Sequence, residues 1–481
     1  MFKGLGDRTM KFTRIALAAA ACCGFVATGT QAQGLRQPGS VQPVALTYDY
    51  YAQDNAAPSP SDLITTESSE LAFLGEASQK NGKACGCDSK GGGKGGKSCS
   101  TCQPWRLFPT IGNGWTVEGW LAGGATFNAD HPASHYNGPV TFNDRDREFQ
   151  VNQAYITMGR EADNGGCGWA WGGRMDLLYG TDYIFTQAAG LELQPDGTNA
   201  WNGHRQYGFA MPQAYADVAY NDLSVRVGHF YTIMGYEKVQ APSNFFYSHA
   251  YTKQYGEPFT HTGALATYNY NDRWTFYGGG VNGWNKFDAV SDKIAFLGGA
   301  TYTPDHQRYT LTGTFITGEE DGIAPPTTVR SGYSIVFNYN INCRLNYVLQ
   351  HDNYWQDNDP LNGGAHSEWY GLNQYLFYTV NDRWKLGVRA EWFRDDDGVR
   401  ASALGSPIRE AAFGGGLPFA AADAAGNYYN VSLGANWTPR SNITVRPEIR
   451  WDWSDGNVVQ PYDDGTKDSQ FTAAVDAILI F

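Results

Sequence analysis

The sequence predicts an all-β fold, an antiparallel up-and-down barrel of about 16 strands that crosses a membrane, preceded by a loosely structured or disordered N-terminal segment. Three observations predict it. From Trp115 onward the chain breaks into short runs alternating apolar and polar residues, separated by Asn- and Asp-rich turns. Phe, Trp and Tyr make up 15% of the chain, and glycine 58 of its 481 residues. Beyond the first 32 residues no run of roughly 18 apolar residues offers a transmembrane helix.

The N-terminus reads as an export signal. Lys3, Arg8, Lys11 and Arg14 precede the apolar run Ile15 to Val26, too short to span, and Thr30-Gln31-Ala32 offers small residues for a peptidase. Residues 1–32 are therefore expected to be cleaved. A lipidated Cys22 is the alternative, but Ala19 stands where a large aliphatic is usual.

Residues 33–104 are expected to form a Gly/Cys-rich periplasmic segment. Gly91-Gly92-Gly93-Lys94-Gly95-Gly96-Lys97 has linker composition, and Leu63 to Leu74 is the one stretch suited to a helix. Cys85, Cys87, Cys99 and Cys102 crowd around it, and an oxidising compartment favours disulfides, with a zinc site as the alternative. Cys167 and Cys343 fall in different expected turns. A net charge of -13 argues against a nucleic-acid partner, which needs a basic face.

Residues 105–481 carry the barrel. In Ile443, Val445, Pro447, Ile449 and Trp451 against Thr444, Arg446, Glu448, Arg450 and Asp452, one face is apolar and the other polar, as lipid outside and water inside require. Trp384 to Trp392 and Tyr429 to Trp437 repeat the pattern. Strands are expected to begin near residues 115, 149, 168, 211, 223, 260, 274, 293, 308, 329, 343, 367, 384, 427, 443 and 470. Long segments at 128–148, 182–210, 231–259, 395–426 and 454–469 alternate with tight turns at Asn221-Asp222, Asn271-Asp272-Arg273, Asn340-Ile341-Asn342, Asn381-Asp382-Arg383 and Pro439-Arg440-Ser441-Asn442, as outer loops and inner turns would. The last strand alternates Phe471, Ala473, Val475, Ala477, Leu479 and Phe481 with Thr472, Ala474, Asp476, Ile478 and Ile480, and must pair with the first to close the wall.

Gly228-His229-Phe230-Tyr231-Thr232, Gly235-Tyr236-Glu237, Asn244-Phe245-Phe246-Tyr247-Ser248-His249, Glu257-Pro258-Phe259-Thr260-His261-Thr262-Gly263, Trp369-Tyr370-Gly371 and Glu391-Trp392-Phe393-Arg394-Asp395 occur in that order. Together they resemble the outer-membrane β-barrel porin family, over roughly Trp105 to Phe481. The resemblance implies a water-filled channel in a bacterial outer membrane for ions and small hydrophilic solutes. It implies no catalytic residue and no cofactor. The terminal Phe481 resembles the signal read by the barrel assembly machinery.

In such a channel, function lies in inward-facing side chains and in any loop that narrows the lumen. Arg174, Asp176, Asp217, Arg226, Lys385, Arg389, Glu391, Arg446, Glu448, Arg450 and Asp452 are the expected pore-lining residues, with Glu118, Asp182 and Arg344 also inward. Cross-strand salt bridging that stiffens the wall is their alternative role. The segment Tyr231 to Phe259 is unusually aromatic for an exposed loop, with Tyr236, Phe245, Phe246, Tyr247, Tyr251 and Tyr255 beside Glu237, Lys238, His249 and Lys253. It is expected to fold into the lumen as a constriction, a subunit contact being the alternative. Lys238 and Lys253 are candidates to meet Asp217 and Glu391.

Glu319-Glu320-Asp321, Asp395-Asp396-Asp397 and Asp463-Asp464 read as solvated loop tips, or as sites bridging divalent cations to anionic lipid. Barrels of this size are typically trimers, so a homotrimer is expected by analogy. Two other function classes compete. An adhesin or wall-anchoring barrel would use residues 33–103, and a barrel hydrolase would need Ser248, His249 and His261 to converge without any glycine-flanked serine elbow.

Overall fold

The computed structural model describes residues 107–481 apart from 109, 113, 195–198, 203–205, 289–292, 321–327, 402–423 and 457–459. The export signal, the four crowded cysteines and the helix expected over Leu63–Leu74 lie outside the described residues.

Sixteen strands follow one another along the chain: β1 (Thr116–Asn128), β2 (Phe149–Arg160), β3 (Trp169–Gly180), β4 (Gly208–Tyr220), β5 (Leu223–Tyr231), β6 (Thr260–Asn271), β7 (Trp274–Val281) and β8 (Ala295–Tyr302). They continue as β9 (Tyr309–Glu320), β10 (Thr328–Asn342), β11 (Leu345–Asp359), β12 (Ala365–Asn381), β13 (Trp384–Asp395), β14 (Gly426–Arg440), β15 (Ile443–Asp455) and β16 (Ser469–Ile480). Each pairs with its chain neighbours, and β1 pairs with β16, so the sheet is a closed barrel. The closing ladder runs antiparallel from Trp120 opposite Ile480 to Asn128 opposite Thr472. The widest gap between expected and observed strand starts is at β4, expected near 211 and beginning at Gly208.

Period-two patterning sets the faces. On β15 Ile449 and Trp451 are 43% and 53% exposed, whereas Arg446, Glu448, Arg450 and Asp452 are all buried toward the lumen. The short turns are built by asparagine. Asn271, Asn342 and Asn381 each accept hydrogen bonds from the backbone N–H groups two and three residues on, as in Asn271 with Arg273 and Trp274, both at 2.9 Å. Asn221 adopts the left-handed φ of 50° that its turn requires.

The C-terminal residue is tied into the seam. The Phe481 backbone N–H donates to Gly119 O and its carbonyl accepts from Gly119 N, both at 2.8 Å.

Candidate functional site

The segment between β5 and β6 does not stay outside. It enters the barrel as an irregular chain with one short 3-10 turn at Ala241–Ser243 and one π turn at Thr252–Gly256. Phe245, Phe246, Tyr247, Tyr251 and Tyr255 are buried, and Tyr236 packs against Phe245, Phe246, Tyr375 and Phe377. The apolar rings find cover that water would deny them. Two lumen-facing glycines admit the loop: a Cβ on Gly387 would collide with the Phe245 ring, and one on Gly371 with Thr252.

The wall meets the loop's backbone with charge. Glu448 accepts from the N–H groups of Tyr247 and Ser248, each at 3.0 Å, and from the Ser248 hydroxyl. Glu391 accepts from the N–H groups of Tyr251 at 2.7 Å and Thr252 at 2.6 Å and from the Thr252 hydroxyl at 2.8 Å. Arg446 donates through one nitrogen to the carbonyls of Ala241, Asn244 and Phe246 while its other nitrogens hold Asp476. Arg450 donates to Ser248 Oγ at 3.2 Å and His249 O at 2.5 Å, and pairs with Asp452 at 2.7 Å. Arg389 reaches Glu237 at 2.9 Å and the Ser248 carbonyl at 2.9 Å. Asp452 accepts the Tyr251 hydroxyl at 2.7 Å.

The structure thus places Arg389, Glu391, Arg446, Glu448, Arg450 and Asp452 inward but beneath the loop. A loop without regular structure carries unpaired N–H and C=O groups, and buried in a lumen these need partners. Carboxylates take its donors and guanidinium groups its acceptors. Uncharged wall residues do likewise on other sides: Gln153 on β2 bonds Val239 O at 2.7 Å and Ala241 N at 3.0 Å, and Gln350 on β11 bonds Tyr236 N at 3.1 Å and Glu257 at 2.6 Å.

Arg174, Asp176, Asp217 and Arg226 stand apart from that cradle. Arg174 pairs with Asp176 at 2.7 Å, and Asp176 also receives Tyr155, Thr157 and Gln213. Asp217 and Arg226 form a two-pronged pair at 3.0 Å, with the Arg226 guanidinium 3.8 Å over the Tyr215 ring. Arg174, Asp217 and Arg226 keep 17%, 20% and 17% of their side chains exposed. Lys385 is half-buried at the β13 end of a pocket that it shares with Asn244, Thr444 and Arg446.

One expected pairing is different in the structure. Lys253 bonds Glu257 at 2.6 Å, one helical turn away, rather than Asp217 or Glu391. Asp217 is paired with Arg226. Burial pushes the carboxyl of Glu237 up, but Arg389 and His249 beside it prevail and hold it well below the usual range. Burial pulls the His249 imidazole down, against the raising effect of Glu237.

Ser248 and His249 face different partners. The serine hydroxyl bonds Glu448, Arg389 and Arg450, and the imidazole Nδ1 lies 3.1 Å from Glu237 with its ring stacked on Phe142. His261 directs Nδ1 to the Gly283 carbonyl at 2.8 Å.

Sequence reasoning missed a second inner packing. Trp120, Tyr155, Leu178, Ile478 and Ile480 on the walls form an apolar cluster with Phe142 and Phe185 from two further loops and with Val239 and Ala241. Trp120 stacks on Tyr155 at 4.0 Å, and Phe142 on Phe185 at 3.9 Å. The available signal was Ile478 and Ile480 on the otherwise polar face of the last strand. Cys167 is exposed and free, whereas Cys343 in the β10–β11 turn is disulfide-bonded.

Residues 114–481 match the model of the family described as "Putative beta-barrel porin-2, OmpL-like". No curated protein matches the chain significantly. Among solved structures, it is similar to the outer membrane channel DcaP of Acinetobacter baumannii, with 11% identity and a TM-score of 0.47 over 76% of this chain and 97% of that one. An anion-selective porin from Comamonas acidovorans shares 10% identity, with a TM-score of 0.49 over 76% of this chain and 99% of that one. OmpT of Vibrio cholerae in its trimer form shares 13% identity, with a TM-score of 0.46 over 77% of this chain and 100% of that one.

Proposed function

Because the chain belongs to the OmpL-like beta-barrel porin-2 family, we propose that it serves in the bacterial outer membrane as a porin, a water-filled passive channel for ions and small hydrophilic solutes. The observation that carries this reading is the closed sixteen-strand barrel whose outer face is largely apolar and whose inner face carries the charged side chains.

The inward residues divide into two roles. Arg174, Asp217, Arg226 and Lys385, which retain exposed surface, line the water path. Arg389, Glu391, Arg446, Glu448, Arg450 and Asp452 hold the constriction loop against the opposite wall, so the loop sets the size limit. Each exposed arginine is neutralised by a neighbouring carboxylate, which favours weak rather than strong ion selection. Phe481 serves the assembly machinery by completing the seam.

Liposome swelling tests this. Vesicles carrying the full chain should swell in uncharged solutes at rates that fall steeply with solute size. Vesicles with inserted, heat-modifiable barrel that admit none of the graded solutes would contradict it.

A further inference from the structure

We infer that Cys343, in the turn between β10 and β11, is the barrel-side half of a disulfide that anchors the cysteine-rich segment to the periplasmic rim through Cys85, Cys87, Cys99 or Cys102. The inference rests on the outer-membrane reading above, which puts that turn in an oxidising compartment.

Elimination supplies the first reason. Cys22 and Cys23 leave with residues 1–32, and Cys85, Cys87, Cys99, Cys102, Cys167 and Cys343 remain. Cys343 is disulfide-bonded, and Cys167 is free. Within one chain, the partner of Cys343 is therefore a cysteine of the segment. Parity adds a consequence. The other segment cysteines are then odd in number and cannot all pair, so at least one thiol besides Cys167 stays free.

The second reason is the turn itself, which presents Cys343. The Asn342 side chain accepts from the backbone N–H groups of Arg344 at 2.9 Å and Leu345 at 3.0 Å, fixing the turn and leaving Cys343 exposed. Arg344 follows it directly, and Arg308 donates to the Ile341 carbonyl of the same turn at 2.8 Å. Positive charge favours the thiolate through which disulfides exchange. Exposure alone does not select a cysteine for bonding: Cys167 is exposed between β2 and β3, at the same end of the barrel, and remains free.

Reach agrees. β1 begins at the same end of the barrel, and in the strand order the β10–β11 turn lies beyond β16, β15, β14, β13 and β12 from it. Strands about 4.8 Å apart and tilted near 45° make a sixteen-strand wall roughly 35 Å across. The turn then stands about 33 Å from the start of β1 in a straight line, and about 45 Å along the rim. The backbones of Ile111 and Trp115 bond each other at 2.7 and 3.2 Å, which pins the approach to β1 as far back as Ile111. From Ile111 back to Cys102 the chain extends at most about 30 Å, and a disulfide adds roughly 5.5 Å between Cα atoms. Even the nearest segment cysteine thus reaches Cys343, and does so only straight across the opening. Cys99, Cys87 and Cys85 reach it with length to spare.

The bond forms by thiol–disulfide exchange with the disulfide of a periplasmic thiol oxidase. One thiolate attacks the oxidant's S–S bond, and the other then attacks the mixed disulfide. An S–S bond joins Cys343 to the segment cysteine, the oxidant's S–S bond is broken, and the oxidant's two sulfurs take up the two electrons and two protons as a dithiol.

The test inserts a protease site between Gln103 and Pro104 of the full chain in outer membranes and follows the cleaved protein on denaturing gels. Residues 33–103 should stay attached to the barrel without reductant and separate from it with reductant. Cys343→Ser should release them without reductant, and Cys167→Ser should not. Alkylation of the unreduced wild type should label Cys167 and at least one segment cysteine and leave Cys343 unlabelled. Should Cys343→Ser fail to fold, the masses of the disulfide-linked peptides from the wild type decide. Release of residues 33–103 from the wild type without reductant, their retention in folded Cys343→Ser, a labelled Cys343, or a Cys343 bonded to another molecule would overturn the inference. The readout is a bond and not a current, so it stands or falls separately from the channel reading.

Discussion

Glu448→Ala is the sharpest perturbation of the loop anchorage. The Glu448 carboxylate accepts from two buried backbone N–H groups, Tyr247 and Ser248 at 3.0 Å each, and from the Ser248 hydroxyl. Alanine leaves both N–H groups unpaired, at about 1 to 3 kcal/mol each. It also removes a carboxylate 3.7 Å from the Arg389 guanidinium. The two N–H groups alone give roughly 2 to 6 kcal/mol against loop docking, and the disturbed arginine adds to it. The β15 ladder is untouched, because the backbone groups of residue 448 pair with β14 and β16 as before. Hydrogen exchange in detergent reads this directly. A loss of 3 kcal/mol means that the amides of Tyr247 and Ser248 exchange more than about a hundredfold faster, since each 1.4 kcal/mol is tenfold. Glu448→Gln keeps an acceptor and should lie between the two. Unchanged exchange at Tyr247 and Ser248, or an equal loss of protection along β15, would refute the assignment of Glu448 as a loop anchor.

Three other outcomes follow from the same geometry. Ile449→Arg places a charge on the lipid face and should destabilise the barrel by about 2 to 4 kcal/mol in reversible unfolding from lipid vesicles; no effect would mean that the faces of β15 are reversed. Deleting Phe481 removes its two bonds to Gly119 and should lower the yield of heat-modifiable barrel in the outer membrane, whereas wild-type levels would refute a role in closure. Burial raises the Asp182 carboxyl to about 7, in the turn after β3 where Asn152 and Gln153 donate to it, and raises Glu192 to about 7 in the following loop. Their folded values exceed their unfolded ones, so their stabilisation is complete below about pH 4 and is lost as pH rises through about 7. Asp182→Asn should flatten that decline in a pH series of thermal unfolding, and an identical slope would refute it.

Strand positions were legible because lipid and water impose a period of two, and asparagine turns announce themselves. The loop's destination was legible for a related reason, since so many rings in one segment between strands demand cover. What the chain hid was the identity of that cover. Arg446 and Arg450 look alike to a sequence whether they face water or a carbonyl, because alternation reports only the side of the wall. Whether an irregular segment lies across them depends on contacts some two hundred residues apart, such as Arg446 with Ala241. The same limit explains Lys253, whose nearest carboxylate, Glu257, was available within its own turn. Ile478 and Ile480 were visible as apolar residues on a polar face, but Phe142 and Phe185, which belong to the same cluster, come from loops whose composition gave no sign of entering the barrel.

Single-channel recording in planar bilayers tests the channel and its constriction together, using the wild-type chain beside a variant in which Val239–Lys253 is replaced by a short Gly-Ser bridge. The account predicts discrete conductance steps from the wild type and larger steps, with passage of larger solutes, from the variant, whose strands are all intact. Inserted barrels that stay silent, or identical steps from both proteins, would contradict it.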